Sequence, residues 1–166
     1  MLEILKYPDS RLNLIAQPVT KFDSDLKNLA DQMLTTMYQS EGCGLAAIQL
    51  NIQQSIIVLD ISHDCSVPQI FINPKITSET GTQTGDEGCL SFPGIRIKVT
   101  RPKELVVEYQ DLSGDKHTLN ADDFLAKCIH HECEHLSGQV FIKDLSRLKL
   151  HMALRKLEKH KKNYVE

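Results

Sequence analysis

Between residues 24 and 42 the apolar positions Leu26, Leu29, Met33 and Met37 recur at intervals of three and four, and suitable capping residues stand at both ends. This spacing predicts a helix with one core-facing stripe. The pattern then changes. Residues 55–61, 69–73 and 104–109 are short runs rich in β-branched side chains, separated by polar turns or proline, and they read as strands. Leu112-Ser113-Gly114-Asp115 reads as a turn leading into a shorter strand at 116–119. Helical spacing returns after Asn120 or Asp122 and runs through Leu136, with Phe124, Leu125, Cys128 and Ile129 as its apolar surface and Gly138 as its stop signal. From about residue 145 a last helix is predicted, with Leu148, Met152 and Leu157 as an apolar stripe. The resulting expectation is an α+β fold, antiparallel β-sheets wrapped around a central helix and followed by a C-terminal helix.

A length of 166 residues suits one domain, 1–166, with a real core. The net charge of −3 predicts no chain-wide affinity for nucleic acid or membrane. It conceals a basic C-terminal segment carrying Arg147, Lys149, Arg155, Lys156, Lys159, Lys161 and Lys162. Charge and proline interrupt the first eight residues too early for a secretory segment, and no apolar run approaches the ~18 residues of a membrane span, so a cytoplasmic location is expected. Five cysteines form neither an even framework nor paired C-x-x-C motifs, which predicts free thiols in a reducing compartment. Cys128 and Cys133 read as small core residues, whereas Cys43 stands in a glycine-rich block.

The chemistry concentrates in His131-Glu132-Cys133-Glu134-His135. On a helix, residues four apart lie one above the other, so two imidazoles can converge on one ion while Glu132 projects beside them. Two histidines leave such a site incomplete. Glu87-Gly88-Cys89-Leu90-Ser91 offers a third donor, a thiolate suited to zinc or ferrous iron. Gly42-Cys43-Gly44-Leu45-Ala46-Ala47-Ile48-Gln49 adds small residues that permit close backbone approach, and ends in a side-chain amide donor.

These three blocks, in this order, resemble the peptide deformylases, and Tyr7-Pro8-Asp9-Ser10-Arg11-Leu12 followed by Ala16, Pro18 and Val19 is similar to the opening of that family. The resemblance implies Cys89, His131 and His135 as ligands of one divalent metal ion, Fe2+ in the cell and Zn2+ or Ni2+ in preparations. It implies Glu132 as general base and acid, with Gln49 and the Leu90 backbone N–H holding the formyl oxygen. Gly44 would position the substrate formamide, and Cys43, Gly85, Arg96, Phe124 and Lys127 complete the substrate-binding candidates. The implied reaction is removal of the N-formyl group from the formylmethionine of newly made polypeptides, with release of formate. Implied partners are N-formylated nascent chains and, through the basic C-terminal helix, the ribosome; a monomer is expected.

Departures from the family pattern concern selectivity. His130 and Glu134 stand where glutamine and aspartate are usual, and Cys43, Gly85 and Lys127 where apolar residues are common. The alternatives are therefore a deformylase-like enzyme with altered first-side-chain selectivity, a general metallopeptidase, or a catalytically silent metal-stabilised binding protein. The Cys89 and Gln49 blocks argue against the peptidase and Glu132 against the silent protein. His130, adjacent to His131 and about 100° away around the helix, is expected to support the site and not to ligate. Glu87 and Arg101 are expected to form a salt bridge under the Cys89 segment, and His63, His117, His151 and His160 to be surface residues.

Overall fold

A computed structural model describes residues 2–163, so both ends of the expected 1–166 domain lie outside the described residues. The first long helix, α1 (Ser24–Gln39), starts where the Asp23 carboxylate accepts a hydrogen bond from the Leu26 N–H at 3.1 Å. It ends three residues before the predicted Gly42, because the chain leaves the helix at Ser40 and Glu41 adopts φ 56°. Strands then follow in chain order as β1 (Gly44–Ala46), β2 (Ile56–Leu59), β3 (Gln69–Thr80), β4 (Gln83–Glu87), β5 (Ile97–Arg101), β6 (Glu104–Gln110) and β7 (Lys116–Asp122). Five of them form one antiparallel sheet in the order β1-β2-β3-β6-β7, and β4 and β5 form a separate antiparallel hairpin.

β3 and the β4–β5 hairpin differ from expectation, and β1 was not predicted as a strand. β3 continues seven residues past Asn73, through Pro74, because Asn73 takes φ 51° and the register shifts between Ile72 and Lys75. A bulge of this kind lets proline pass without costing a ladder hydrogen bond. The β4–β5 hairpin was not predicted, since Gln83-Thr84-Gly85-Asp86-Glu87 lacks the β-branched enrichment of a strand.

β2 is buried along its whole length because both faces of the large sheet are covered. Ile56 and Val58 pack with Leu26, Met33 and Met37 of α1, while Ile57 and Leu59 pack with Ala126 and Ile129 of the second long helix, α2 (Asp123–Leu136). α2 ends in a two-bond cap: the Gly138 N–H donates to the His135 carbonyl at 3.1 Å and the Gln139 N–H to the Glu134 carbonyl at 3.0 Å. Gly138 has φ 70° and lies against the Asn13 carbonyl, so a side chain there would be both strained and obstructed.

α3 (Arg147–Asn163) packs beyond the hairpin, with Ala153 and Leu157 buried against Phe92, Ile95, Phe141 and Ile142. The predicted stripe is corrected here: Leu148 is 69% exposed and Met152 53%, whereas Leu150, Ala153 and Leu157 share the inward face. No helix among the described residues is long and apolar enough to cross a membrane.

Candidate active site

α2 brings His131 and His135 to one side of the helix, and Cys89 reaches them from the segment just beyond β4. One donor atom from each of the three lies within 4.8 Å of the others, and Cys89 Sγ is 3.4 Å from His135 Nε2. Sulfur and nitrogen ligands of a tetrahedral zinc ion stand about 3.5 Å apart, so the residues fit a divalent metal.

The environment supports that fit. His131 Nδ1 donates to Glu87 Oε1 at 2.8 Å, leaving Nε2 to act as donor atom. Arg101 Nη2 also lies 3.3 Å from Nδ1, but a guanidinium only donates, so the shorter carboxylate contact assigns the hydrogen. Burial pushes His131 down as an acid, yet Cys89, Glu87 and Glu132 outweigh it and favour positive charge at this point. The same field attracts a cation. His135 is held well below its ordinary pKa by burial and by the charges of His131 and Arg101, so its imidazole is neutral.

Glu87 and Arg101 form the expected bridge as a buried fork, with Arg101 Nε and Nη2 each 2.9 Å from a Glu87 oxygen. Burial pushes the Glu87 carboxyl up, but hydrogen bonds from His131 and Arg101 overcome it and hold it at about 2. Arg101 Nη1 is 2.7 Å from Glu134 Oε2, and its N–H donates to His130 Nδ1 at 2.9 Å. His130 therefore buttresses Arg101, and it is absent from the cluster of convergent donors. Lys143 contacts the other Glu134 oxygen at 2.7 Å.

Glu132 is 6% exposed, and its Oε2 has no hydrogen-bond partner among the described residues. Burial, opposed by the charge of His131, raises its carboxyl to about 7. Gly44 stands beside it: a Cβ there would come 2.5 Å from Glu132 Oε1. Gln49 is fixed at both ends of its amide, Oε1 accepting from the Ala46 N–H at 2.9 Å and Nε2 donating to Ser91 Oγ at 3.1 Å. Its Nε2 is also 3.6 Å from Cys89 Sγ, so the amide's donor end faces the donor cluster. Lys6 Nζ donates to the Leu90 carbonyl at 2.6 Å, and the Tyr7 N–H to the Ser91 carbonyl at 2.9 Å.

A cavity of about 760 Å³ opens over this arrangement, large enough for a peptide end. Cys43, Gly44, Gln49, Cys89, Leu90 and His131 line it with Glu132, and His135 lies deeper, at 1% exposure. Arg96, Phe124 and Lys127 also line it. Arg96 and Lys127 both donate to the Asp86 carbonyl, at 3.4 and 3.0 Å, and Lys127 Nζ is 5.8 Å from the Phe124 ring centre. Gly85 does not line the cavity; it pairs with Val99 within the hairpin, behind Lys127. Lys6, Ser91, Cys128 and His160 were not singled out as site residues. Ser91 is 0% exposed beneath Gln49, while Cys128 and His160 border the cavity. His160 is thus corrected from a plain surface residue to part of the rim, where it packs against Gly94.

A family model described as polypeptide deformylase matches residues 1–151. A peptide deformylase of Nitrosococcus oceani is 47% identical over 162 residues, 98% of this chain and 97% of that one. The crystal structure of a peptide deformylase from Legionella pneumophila superposes with a TM-score of 0.96 at 38% identity, covering 100% of this chain and 98% of the other. That of the Synechococcus elongatus peptide deformylase in complex with actinonin gives 0.90 at 40% identity, covering 93% and 86%.

Proposed function

The chain belongs to the peptide deformylase family, and from that premise we propose that Cys89, His131 and His135 hold its divalent metal ion while Glu132 moves the protons of deformylation. The reaction removes the N-formyl group of newly made polypeptides and releases formate. The observation that carries the assignment is the convergence of three donor atoms within 4.8 Å beside a buried carboxylate.

When bound, a divalent ion supplies Lewis acidity, which makes water a usable nucleophile near neutral pH and polarises a carbonyl. Glu132 takes a proton from the attacking water and returns it to the departing amine. Gln49 keeps one Nε2 hydrogen on Ser91 and turns the other toward the formyl oxygen; with the Leu90 N–H it stabilises the charge that develops there. Gly44 leaves room for the formamide next to Glu132, because no side chain occupies that space. The native ion is Fe2+, with Zn2+ or Ni2+ able to replace it in the same soft donor set. Metal analysis after anaerobic purification tests this.

A second reading concerns selectivity. The cavity wall carries Arg96 and Lys127 on one carbonyl, beside Cys43, so the first side chain of the substrate meets cations where an apolar wall would favour methionine alone. The whole chain works as one catalytic domain, a monomer in the cytoplasm. The exposed lysines 149, 156, 159 and 162 of α3 give it phosphate contacts on the ribosome. Lys161 is engaged elsewhere, since its Nζ donates to the Tyr7 carbonyl at 2.8 Å.

The deciding experiment compares formylated, acetylated and unmodified forms of one peptide with the metal-loaded protein. Formate release from the first and no cleavage of the others is expected; equal cleavage of all three would identify a general peptidase. Actinonin should compete with the formylated peptide.

A further inference from the structure

Cys43 and Cys128 are 85 residues apart in sequence, yet their sulfurs lie 4.0 Å from each other. Both border the substrate cavity, Cys43 exposed at the entrance to β1 and Cys128 buried on α2. Neither sulfur moves a proton or joins the donor cluster in the proposed deformylation, which rests on Glu132 and on Cys89, His131 and His135. Two thiols at this distance, one accessible and one behind it, have the arrangement of an attacking and a resolving cysteine.

We propose that Cys43 and Cys128 form a modification site in the wall of the substrate cavity, which takes two-electron oxidants of the peroxide class and closes as an intramolecular disulfide. Cys43 reacts first, because it is the exposed member of the pair. Hydrogen bonding to Cys128 also pulls its thiol below the ordinary range, whereas Cys128 is pushed up and keeps its proton. The Cys43 sulfur attacks one peroxide oxygen, the O–O bond breaks, and the thiol proton leaves with the released oxygen as water. This leaves a sulfenic acid. The Cys128 sulfur then displaces that hydroxyl: the S–S bond forms, the S–O bond breaks, and the Cys128 proton departs with hydroxide as a second water. Two thiols have lost two electrons in total, and one hydrogen peroxide has become two waters.

Closure has a consequence for the site. A disulfide holds its sulfurs at about 2.05 Å, so the pair must approach by roughly 2 Å. Cys43 immediately precedes Gly44, where even a Cβ would lie 2.5 Å from Glu132 Oε1. Drawing this segment toward α2 therefore displaces Glu132 and narrows the cavity beside Lys127.

The test treats the zinc-loaded protein with hydrogen peroxide, so that the ion itself exchanges no electrons. Remaining thiols are then alkylated, and the unreduced digest is fragmented in a mass spectrometer. The expected product is a Cys43–Cys128 bridge. Formate release should fall by about 100-fold, the scale of a ~1 Å misplacement, and should return with dithiothreitol. In Cys128→Ala the bridge is absent, and excess peroxide drives Cys43 to the sulfinic acid, so dithiothreitol no longer restores activity. Cys43→Val should likewise form no bridge and lose the reversible component. The proposal is overturned if Cys43 and Cys128 are both still alkylated after Cys65 or Cys89 has been oxidised, or if Cys128→Ala keeps the full recoverable response. Linkage is read from fragment masses alone, so it stands or falls separately from the catalytic assignment.

Discussion

α1 and α2 lie on opposite faces of the same sheet and differ in what they bury. α1 presents Leu26, Ala30, Met33 and Met37, and packing against the strands is all that these side chains require. α2 presents Ala126, Ile129 and Leu136 in the same way, but between them it also buries His131, Glu132 and His135. Each buried polar group needs a partner that the helix itself cannot supply. Glu87 and Arg101 provide one set from the β4–β5 hairpin, and the convergence of donors around Cys89 provides the other. One face thus holds the fold together by itself, while the other is complete only when distant segments are in place.

The sharpest test of this contrast is Glu132→Ala, which removes the buried carboxylate and leaves the convergent donors Cys89, His131 and His135. Formate release should fall by about 100- to 10,000-fold with zinc content unchanged. A folded, metal-loaded variant with the parental rate would sink the assignment. Arg101→Leu attacks the partners instead, removing the guanidinium fork from the buried Glu87 carboxylate, while Glu134 keeps Lys143. It should cost roughly 3–5 kcal/mol in denaturant unfolding. It should also weaken metal retention about 10- to 100-fold in a chelator titration; parental retention would mean that the hairpin does not orient His131.

On the opposite face Met33→Ala should lower stability by about 2–5 kcal/mol, yet leave kcat/KM of the remaining folded protein unchanged. A large kinetic effect would show that the two faces are coupled through the sheet. Lys127→Ile should raise kcat/KM for formyl-methionyl peptides relative to those with an acidic first side chain by about 10-fold. An unchanged ratio would remove Lys127 from the selectivity wall.

The smallest effect concerns Asp60, which ties α1 to the end of β2. Burial pushes its carboxyl up, but hydrogen bonds from Ser62, Tyr38 and the Val67 N–H overcome it and set the folded pKa below the usual value. Its stabilisation is therefore complete above the unfolded carboxylate range, near pH 4, and is lost as pH falls through the lower folded value. The melting-temperature gap between the parent and Asp60→Asn should shrink in that window. A gap constant down to pH 2 would contradict the assignment.

How much of this was legible follows from where each signal resides. α1, α2 and the strands β2 and β6 carry their information locally, in helical spacing or β-branched runs, and were found from it. The β4–β5 hairpin carries none of its own: the Glu87–Arg101 bridge was expected through the family resemblance, but that the two charged residues sit in paired strands beside α2 depends on partners distant in sequence. β3 escaped in part because its extension past Pro74 depends on a bulge against β6. On α3, Leu148 and Met152 outrank Ala153 in hydrophobicity but not in position, and the packing selects Ala153 and Leu157. In the candidate site the donors were legible because they fall within short motifs. Ser91 and Lys6 were not, since a serine under an amide and a lysine on a carbonyl acquire their roles only from neighbours distant in sequence.

Gly44 also has an entropic meaning. A glutamate side chain on a helix ordinarily wanders among several rotamers, and confining it costs about 1.5–2 kcal/mol. Here that confinement depends on position 44 carrying no side chain: a Cβ there would come 2.5 Å from Glu132 Oε1, so any larger residue would drive the buried carboxylate out of its pose. That disorder is given up once, when the chain folds, and does not recur in each turnover. On the proposed role of Glu132, the carboxylate that meets the reacting proton can keep one pose from turnover to turnover because no methyl group stands across from it.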